Sequence, residues 1–429
     1  MTKKKLFIWS DSPTAPTGFG IVGKNLFSDL HNNWEVYILG INYHGLNKYD
    51  TSKWFIYPID PQDPLGINRF SRVLSDVQPD AILLFQDIFN IKFVLPKIKE
   101  QFPKVKIMLY FPVDGAPFNS VWKPMLDTAD KLVTYTQWGI DTIHERFPDA
   151  KLDYLYHGVD TTQFYPLPSA TRRRYKEEAG WKDKFVILSN NRFQPRKNLP
   201  MALRAAALIS KGYKICKCGN YYGAWKDRCD LNGCGTEDVV EIREGHTDIT
   251  TYVHANMQEY MMGPGPDNTL AAHVLNAGFT PDDNRKLISL YDKNIYEKPA
   301  SEAQLNVYYN VADVNISTTL GEGVGLSLIE AAACGTISLA PKHSAIPEML
   351  GDTGHMIPNS GFVNIAQDNG HIRPVVSVPR MIDALEIEYQ KWLTNKKRKI
   401  INDAAIERVN TLFRWDDKKE KLQNWLATL

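Results

Sequence analysis

The sequence predicts an α/β fold in which two parallel sheets are each wrapped by helices. Short apolar runs alternate with longer amphipathic stretches along most of the chain. Parallel strands need such crossover helices because both faces of their sheet are buried. A chain of 429 residues is also too long for one ordinary core, so two domains are expected.

The first half carries the clearer strand pattern. Helix-like segments at 21–30 and 89–101 lie between its apolar runs. Turn residues and prolines at 157–170 then interrupt the alternation and predict a linker, so the N-terminal domain is expected over about 1–160. The apolar runs that predict its strands are LFIWS (6–10), WEVYILGI (34–41), AILLF (81–85), KIMLYF (106–111) and KLVTYT (131–136).

The second half repeats the alternation with one interruption. An apolar run at 184–189 predicts a strand, an Ala-rich stretch at 199–210 predicts a helix, and 311–340 predicts a strand, a helix and a strand. The interval 216–270 fits neither period and is expected to be a Cys-rich insertion. This C-terminal domain is expected over about 161–395.

Charge and hydropathy argue against a secreted or membrane-spanning protein and give no sign of a nucleic-acid-binding protein. The chain has 50 Lys plus Arg and 49 Asp plus Glu, so bulk charge gives no support for nucleic-acid or membrane binding, although a local basic face stays open. The apolar stretch at 6–9 is too short for a signal peptide, and no run reaches the roughly 20 apolar residues of a membrane span. We therefore expect a cytoplasmic protein, with peripheral membrane contact left open.

A glycine turn follows the first predicted strand. Gly18, Phe19 and Gly20 lie between that strand and a helix. Glycine lets the backbone approach a phosphate or a sugar closely, and the amides of a helix N-terminus bind anions. The alternative is a flexible strand-to-helix turn without a ligand. The spacing is not GxGxxG, so it does not predict a dinucleotide site.

A basic loop follows the strand at 184–189. In NRFQPRKN, Arg192, Arg196 and Lys197 stand where open α/β sheets bind ligands, beyond the carboxyl end of a strand. Guanidinium and ammonium groups there would offset the charge of a diphosphate. A solvated loop with no ligand is the alternative.

A glycine-rich segment leads into an apolar helix and carries two glutamates. Glu330 lies inside the apolar run, where an unpaired charge is costly, so it needs partners such as the two hydroxyls of a ribose. Glu322 lies on the loop, where it can accept hydrogen bonds from a sugar. The alternative is a glutamate that reaches the surface beside a tight turn. The amides expected to face phosphate are those of Gly323, Val324, Gly325 and Leu326.

These motifs together resemble the family-4 retaining glycosyltransferases of GT-B fold. The resemblance rests on the E-x7-E pattern of GEGVGLSLIEAAACG, the R-x4-K of NRFQPRKN, the linker HGVDTTQFYP and the segment PKHSAIPEML. SPTAPTGFG is similar to the acceptor-side glycine loop of that family. The resemblance implies two Rossmann-like domains with parallel sheets facing a central cleft. It also implies C-terminal helices, at about 396–429, that cross back to the N-terminal domain.

The resemblance also implies roles. Arg192 and Lys197 would bind the donor diphosphate, Glu330 the ribose and Glu322 the hydroxyls of the donor sugar. Gly18 and Gly20, with Phe19, would form the loop that closes over the reacting groups. Transfer would proceed with retention and without a cofactor or metal, by front-face attack with the leaving phosphate as base.

One position departs from the family pattern. Many relatives carry a histidine near the sugar, whereas YFPVDGAPF offers Asp114. Asp114 would bond a sugar hydroxyl or hold the acceptor; the alternative is a turn residue in V-D-G. The predicted catalytic residues are therefore Glu322, Asp114, Arg192 and Lys197.

Four cysteines are crowded in the insertion. Thiolates crowded as Cys216-x-Cys218-x10-Cys229-x4-Cys234 in a reducing compartment predict a tetrahedral zinc site, although the spacing is not the paired CxxC pattern. The zinc would be structural, since four thiolates leave no open position. Four free thiols are the alternative. His246 and His254 are candidate substitute ligands, and Cys334 in the apolar helix is expected to be core.

The sequence thus predicts an enzyme that moves a sugar from a nucleotide-sugar donor to an acceptor hydroxyl with retention. A saccharide or lipid-linked glycan is the expected acceptor. Two alternatives stay open: a glycosyltransferase that acts on a flipped-out hydroxymethylated base in DNA, and a nucleotide-sugar-binding module without turnover.

Overall fold

The computed structural model divides the chain into two compact units. Unit 1 comprises Met1–Gly158, Ala366–His371 and Leu412–Leu429, and unit 2 comprises Val159–Ile365 and Ile372–Thr411. Within the part of the chain that the structure describes, no helix is both long and apolar enough to cross a membrane. The described residues are 3–46, 48–231, 234, 238–257, 259, 266–291 and 298–429.

Unit 1 is built on a parallel sheet of seven strands in the order β3-β2-β1-β4-β5-β6-β7. Its central strands are apolar and buried on both faces, which is why they appear in the sequence as continuous apolar runs. The strands are β1 (Lys4–Asp11), β2 (Trp34–Ile41), β3 (Phe55–Pro58), β4 (Ala81–Phe85), β5 (Lys106–Phe111), β6 (Lys131–Thr134) and β7 (Leu152–Tyr154).

Helices complete unit 1, and the last helix of the chain packs against the first. Gln423 Nε2 on that last helix donates to the carbonyl of Asp29 at 3.2 Å, and Lys419 Nζ lies 3.3 Å from the Asp29 carboxylate. The helices are α1 (Gly18–Leu26), α2 (Ile67–Val77), α3 (Ile88–Ile91), α4 (Leu95–Gln101), α5 (Lys123–Thr128), α6 (Gln137–His144) and α15 (Trp415–Thr428).

Unit 2 is built on a parallel sheet of six strands in the order β13-β12-β8-β14-β15-β16. Taken in chain order within the sheet, this is the arrangement 3-2-1-4-5-6 of the Rossmann fold, and the first six strands of unit 1 have the same arrangement. The predicted fold class of two Rossmann-like parallel sheets is therefore confirmed. The strands are β8 (Phe185–Asn190), β12 (Ile249–His254), β13 (Ile288–Leu290), β14 (Val314–Ile316), β15 (Ile337–Pro341) and β16 (His355–Ile357).

Two small antiparallel sheets lie beside this core. One has the order β10-β9-β11 and carries the cysteines, and the other pairs β17 with β18. Their strands are β9 (Tyr213–Cys216), β10 (Tyr221–Gly223), β11 (Val239–Arg243), β17 (Asn359–Val363) and β18 (Arg373–Val376). The helices of unit 2 are α7 (Ser169–Glu178), α8 (Leu199–Lys211), α9 (Leu270–Ala277), α10 (Glu302–Val311), α11 (Leu326–Ala333), α12 (Ile346–Leu350), α13 (Val378–Thr394) and α14 (Asp403–Leu412).

The predicted insertion 216–270 was too wide. Its strand β12 pairs with β8 in the centre of the main sheet, and all six of its residues are buried. The sequence ITTYVH hides this strand because three of its buried positions are Thr or His, so it does not form an apolar run.

Candidate functional site

The candidate site of unit 2 lies where the strand order of its sheet reverses. β8 and β14 are neighbours, and the chain continues from them to opposite sides, so the loops 191–198 and 317–325 meet beyond their carboxyl ends. Hydrogen bonds join the two loops directly. The amide of Leu320 donates to the carbonyl of Arg196 at 2.7 Å, and Thr318 Oγ1 donates to the carbonyl of Asn198 at 2.8 Å.

Two cations of the first loop surround a buried glutamate of the second. Lys197 Nζ lies 2.5 Å from Glu322 Oε1, and Arg196 lies 3.6 Å from Glu322 Oε2. Arg196 also donates to the carbonyl of Gly321. Glu322 is only 6% exposed, and a carboxylate so buried is stable only with charged or hydrogen-bonding partners. Residues predicted to act on one donor are therefore in direct contact, although 125 residues separate Lys197 from Glu322.

Arg192 lies on the same loop but has a different partner. Its Nη2 donates to Glu259 Oε2 at 3.2 Å. The Arg192 side chain is 44% exposed, while the Glu259 side chain is 4% exposed. The guanidinium is therefore held by the buried Glu259 and is still partly accessible to solvent. An arginine held in this way is pre-oriented for an anionic ligand.

The glycine-rich loop reaches α11 through a left-handed residue. Gly325 has φ +81° and precedes the first turn of α11. A Cβ built there would stand 3.1 Å from the Leu328 side chain, so strain and crowding both favour glycine. Gly323 and Val324 are buried, while Gly325 and Leu326 are half-buried.

Glu330 belongs to a separate hydrogen-bonded chain. Tyr309 Oη donates to Glu330 Oε2 at 2.7 Å, and Asn190 Nδ2 donates to Tyr309 Oη at 2.6 Å. His254 Nδ1 is 2.8 Å from Asn190 Oδ1. Burial raises the pKa of Glu330 to about 7, and the Tyr309 hydroxyl opposes that shift only in part. The network joins the ends of β8 and β12 to α10 and α11.

The sequence missed two positioning residues of this site, whereas Arg196 was among the predicted cations of the basic loop. Asn190 and Tyr309 form the hydrogen-bonded chain to Glu330, but they are distant from it in the sequence and belong to no motif. His254 and His246 were candidate substitute metal ligands, but neither belongs to the group of cysteines that converge. His254 Nδ1 is 2.8 Å from Asn190 Oδ1, and His246 Nε2 is 2.9 Å from Glu386 Oε2.

Unit 1 has a switch point of its own, between β1 and β4. Asp11, the last residue of β1, accepts from Thr17 Oγ1 at 2.5 Å, from Asn42 Nδ2 at 3.0 Å and from Gln86 Nε2 at 3.3 Å. Thr17 Oγ1 in turn accepts from the amide of Gly20 at 3.1 Å and caps α1. The predicted glycine loop is therefore anchored to the sheet through Asp11.

The two predicted loop glycines have different surroundings. A Cβ at Gly20 would stand 2.2 Å from the carbonyl oxygen of Ala15, whereas a Cβ at Gly18 would meet nothing within 4 Å. Gly20 is thus required by the packing of the turn, whereas Gly18 is exposed. Phe19 packs edge-on against Phe85, with ring centroids 5.0 Å apart.

Asp114 follows β5 in unit 1. It is half-buried and lines a groove with Asp87, Phe118, Trp122 and His371, all of unit 1. The four residues predicted to be catalytic are therefore divided between the units, since Arg192, Lys197 and Glu322 belong to unit 2.

The predicted metal ligands are brought together. The Sγ atoms of Cys216, Cys218, Cys229 and Cys234 all lie within 4.8 Å of one another. Cys334 lies elsewhere, buried after α11, as expected for a core residue.

Comparison with known proteins supports the fold and shows similarity to glycosyltransferases. Residues 266–368 match the family model described as glycosyl transferases group 1. A GDP-mannose-dependent alpha-(1-6)-phosphatidylinositol monomannoside mannosyltransferase of Mycolicibacterium smegmatis is 24% identical over 57% of the chain. The chain spans about half of that relative, 52% of its length. The putative glycosyltransferase YtcC of Bacillus subtilis is 35% identical, over 18% of this chain and 20% of YtcC.

Solved structures match over nearly the whole chain. Sucrose-phosphate synthase from Thermosynechococcus elongatus superposes with a TM-score of 0.69 at 14% identity, covering 99% of each chain. Anabaena HepE in complex with UDP-glucose superposes with a TM-score of 0.64 at 11% identity, covering 99% of this chain and 100% of HepE. These similarities show that the chain has the GT-B fold. Over residues 266–368 its sequence is also similar to the glycosyl transferases group 1.

Proposed function

We propose that the chain transfers a sugar from a nucleotide diphosphate sugar to an acceptor hydroxyl, with retention at the anomeric carbon. The observation that carries this proposal is the contact of Lys197 and Arg196 with the buried Glu322 at the switch point of unit 2. Three cations, including Arg192, there face two carboxylates, Glu322 and Glu259. Cations on a loop beyond the carboxyl end of a strand suit an anionic diphosphate.

The two glutamates would recognise different parts of one donor. Glu322 lies between cations and on the glycine-rich loop, where it would accept hydrogen bonds from the sugar hydroxyls. Glu330 has Tyr309 as its partner, and its carboxylate would accept from the two ribose hydroxyls. The backbone amides of Gly323 to Leu326, at the start of α11, would face the diphosphate.

In the proposed reaction, the acceptor oxygen forms a bond to the anomeric carbon while the bond from that carbon to the diphosphate oxygen breaks. The acceptor proton passes to the leaving phosphate on the same face of the sugar. Arg192 and Lys197 would stabilise the charge that develops on the leaving group, the kind of electrostatic stabilisation that contributes most in many enzymes. No cofactor or metal takes part in this step.

Unit 1 would provide the acceptor side. The anchored loop with the open Gly18, and the half-buried Asp114, offer backbone and carboxylate groups suited to a sugar hydroxyl. A saccharide or lipid-linked glycan is therefore the proposed acceptor, and the partial similarity to a mannosyltransferase acting on a phosphatidylinositol monomannoside supports it.

The test begins with the donor. Nucleotide sugars with different bases and sugars should be screened for thermal stabilisation, because a ligand of the native state raises its stability by mass action. The best donor is then incubated with saccharide and glycolipid acceptors without added divalent cation. The expected product retains the anomeric configuration of the donor, read by NMR. An inverted product would overturn the mechanism.

Two alternatives give different results in the same assays. Transfer to hydroxymethylated DNA, weakened steeply by salt, would replace the proposed acceptor. Donor binding with neither transfer nor donor hydrolysis would indicate a binding module without turnover.

A further inference from the structure

We propose that Cys216, Cys218, Cys229 and Cys234 bind one structural Zn²⁺ ion. All four Sγ atoms lie within 4.8 Å of one another, and Cys218 and Cys229 are 3.8 Å apart. A tetrahedron of thiolates with Zn–S bonds of about 2.3 Å has S–S edges of about 3.8 Å. The described sulfurs thus already approach the spacing that the ion requires. These cysteines are separate from Lys197, Arg196 and Glu322, and the proposal does not rest on the proposed function.

Convergence of all four sulfurs distinguishes a metal site from paired disulfides. A disulfide joins two sulfurs at about 2.05 Å and imposes no relation on a second pair. Here the Sγ atoms of Cys218 and Cys229 are about as far apart as two thiolate sulfurs that bind the same zinc ion. The Sγ atoms of the other two cysteines lie within 4.8 Å of both.

The backbone around the first two cysteines turns so that both face one point. The amide of Gly219 donates to the carbonyl of Cys216 at 2.8 Å, and the amide of Cys216 donates to the carbonyl of Asn220 at 3.0 Å. Gly219 has φ +82°, which a side chain rarely adopts. Asn220 Nδ2 donates to Cys229 Sγ at 3.3 Å, an outer hydrogen bond of the kind that orients and stabilises metal-bound thiolates.

The small sheet around the cysteines has little apolar core of its own. Its buried cluster contains Cys216, Tyr222 and Cys229, so two of its three members are proposed ligands. Most of β11 is exposed, including Val240 and Ile242. Small folds with so little core usually depend on a metal or on disulfides for stability. We therefore expect the ion to hold this sheet together.

The sheet is also attached to helices of unit 2. Arg204, on α8, donates to the carbonyl of Tyr221 at 2.9 Å and to Asp230 Oδ2 at 2.6 Å. Tyr221 Oη donates to Asp383 on α13 at 3.1 Å. Loss of the ion should therefore loosen contacts on α8 and α13 as well as the cysteine loop. With four thiolate ligands the ion has no open position, so it takes no part in chemistry.

The full-length protein, purified under reducing conditions, should contain about one equivalent of zinc per chain by elemental analysis. Cys229→Ser should lose most of it, because one ligand is removed. Cys334→Ala is the matched control, since it removes a buried cysteine outside the cluster, and it should keep one equivalent. Equal zinc in the wild type and Cys229→Ser, or another metal such as iron in its place, would contradict the proposal.

Two measurements on the wild-type chain keep the test valid if Cys229→Ser fails to fold. Titration of the thiols with an organomercurial should release zinc in step with four cysteines. Replacement of zinc by Co²⁺ should give the visible absorption of a tetrahedral thiolate site. Metal-free protein should unfold several degrees lower than the zinc form. Unchanged unfolding temperature, or two disulfides in reduced preparations, would overturn the proposal.

Discussion

The two units share a strand order but differ in the chemistry of their switch points. In unit 1, Asp11 is surrounded by neutral donors, the side chains of Thr17, Asn42 and Gln86. In unit 2, Glu322 is surrounded by the cations Lys197 and Arg196. The same backbone arrangement therefore surrounds a carboxylate with neutral donors in one unit and with cations in the other.

In the proposed function, this difference would let one fold serve two kinds of ligand. The fold fixes where the loops meet, and the side chains on the loops decide what can bind there. Cations suit a diphosphate, whereas a carboxylate beside an anchored glycine loop suits hydroxyl groups. Mutations in the two switch points should therefore separate nucleotide binding from acceptor use.

The largest effect is expected at Glu322. Glu322→Gln keeps the shape of the side chain but removes the charge that would bind sugar hydroxyls in the transition state. We expect kcat to fall by about 10²-fold, the scale for loss of one pre-organised electrostatic contact. Nucleotide diphosphate affinity, measured by calorimetry, should not weaken, because Lys197 and Arg196 lose a competing carboxylate.

The matching variant at the ribose position, Glu330→Gln, should weaken nucleotide binding. An equal loss of nucleotide affinity in Glu322→Gln would contradict the proposal that Glu322 binds the sugar and Glu330 binds the ribose. A glycosyl adduct trapped on Glu322 would instead show covalent catalysis. Asp11→Asn, the corresponding change in unit 1, should leave nucleotide affinity unchanged.

The next effect is expected at Lys197. Lys197→Ala removes a charge-assisted contact to the diphosphate, worth about 2 kcal/mol or roughly 30-fold in Kd. Arg192→Ala should weaken nucleotide binding in the same direction. Lys211→Ala is the matched control, since Lys211 is also ion-paired, 2.7 Å from Asp283, but at the far end of α8. Unchanged Kd in both Lys197→Ala and Arg192→Ala would mean that the diphosphate binds elsewhere.

The glycines of unit 1 provide a third test. Gly20→Ala would place a Cβ 2.2 Å from the carbonyl of Ala15, and such overpacking should lower the free energy of unfolding by about 2 kcal/mol. Gly18→Ala has open space, so it should leave stability nearly unchanged and raise the KM for the acceptor. Denaturant unfolding and acceptor kinetics measure the two effects. Equal stability of the two variants would contradict the assignment of Gly20 to packing.

The sequence predicted most of the fold because the central strands are apolar on both faces. It predicted β1, β2, β4, β5 and β6 from their apolar runs. β12 was not predicted because its buried residues include Thr250, Thr251 and His254. These polar residues interrupt the apolar run by which a buried strand is recognised in a sequence. Short strands such as β13 and β16 carry too few residues to show any period.

The candidate site could be predicted only where its residues form a local motif. Arg192, Lys197, Glu322 and Glu330 lie in two short segments with glycine turns or strand ends beside them. Tyr309 joins Glu330 by a hydrogen bond across 21 residues, and no local pattern marks such a contact. The contact forms only because α10 packs against α11 in the folded chain.

The smallest expected effect is a pH dependence of donor binding through Glu330. Burial raises the pKa of Glu330 to about 7 in the native protein. Compared with the unfolded chain, the native protein therefore favours the protonated carboxyl. Its stabilising contribution is therefore present below about pH 4.5 and is lost as the pH rises through about 7. Ribose hydroxyls donate to the carboxylate, so the deprotonated form should bind the nucleotide more tightly. Kd for a nucleotide sugar should fall by up to about tenfold between pH 6 and pH 8, as the deprotonated fraction of Glu330 grows.

Glu330→Gln should remove this pH dependence of Kd. Tyr309→Phe deletes a bond that lowers the Glu330 pKa, so it should move the midpoint to higher pH. Calorimetry with an unhydrolysed nucleotide sugar measures all three proteins without a titrating terminal phosphate. A wild-type pH profile that persists in Glu330→Gln would show that another group controls ribose recognition.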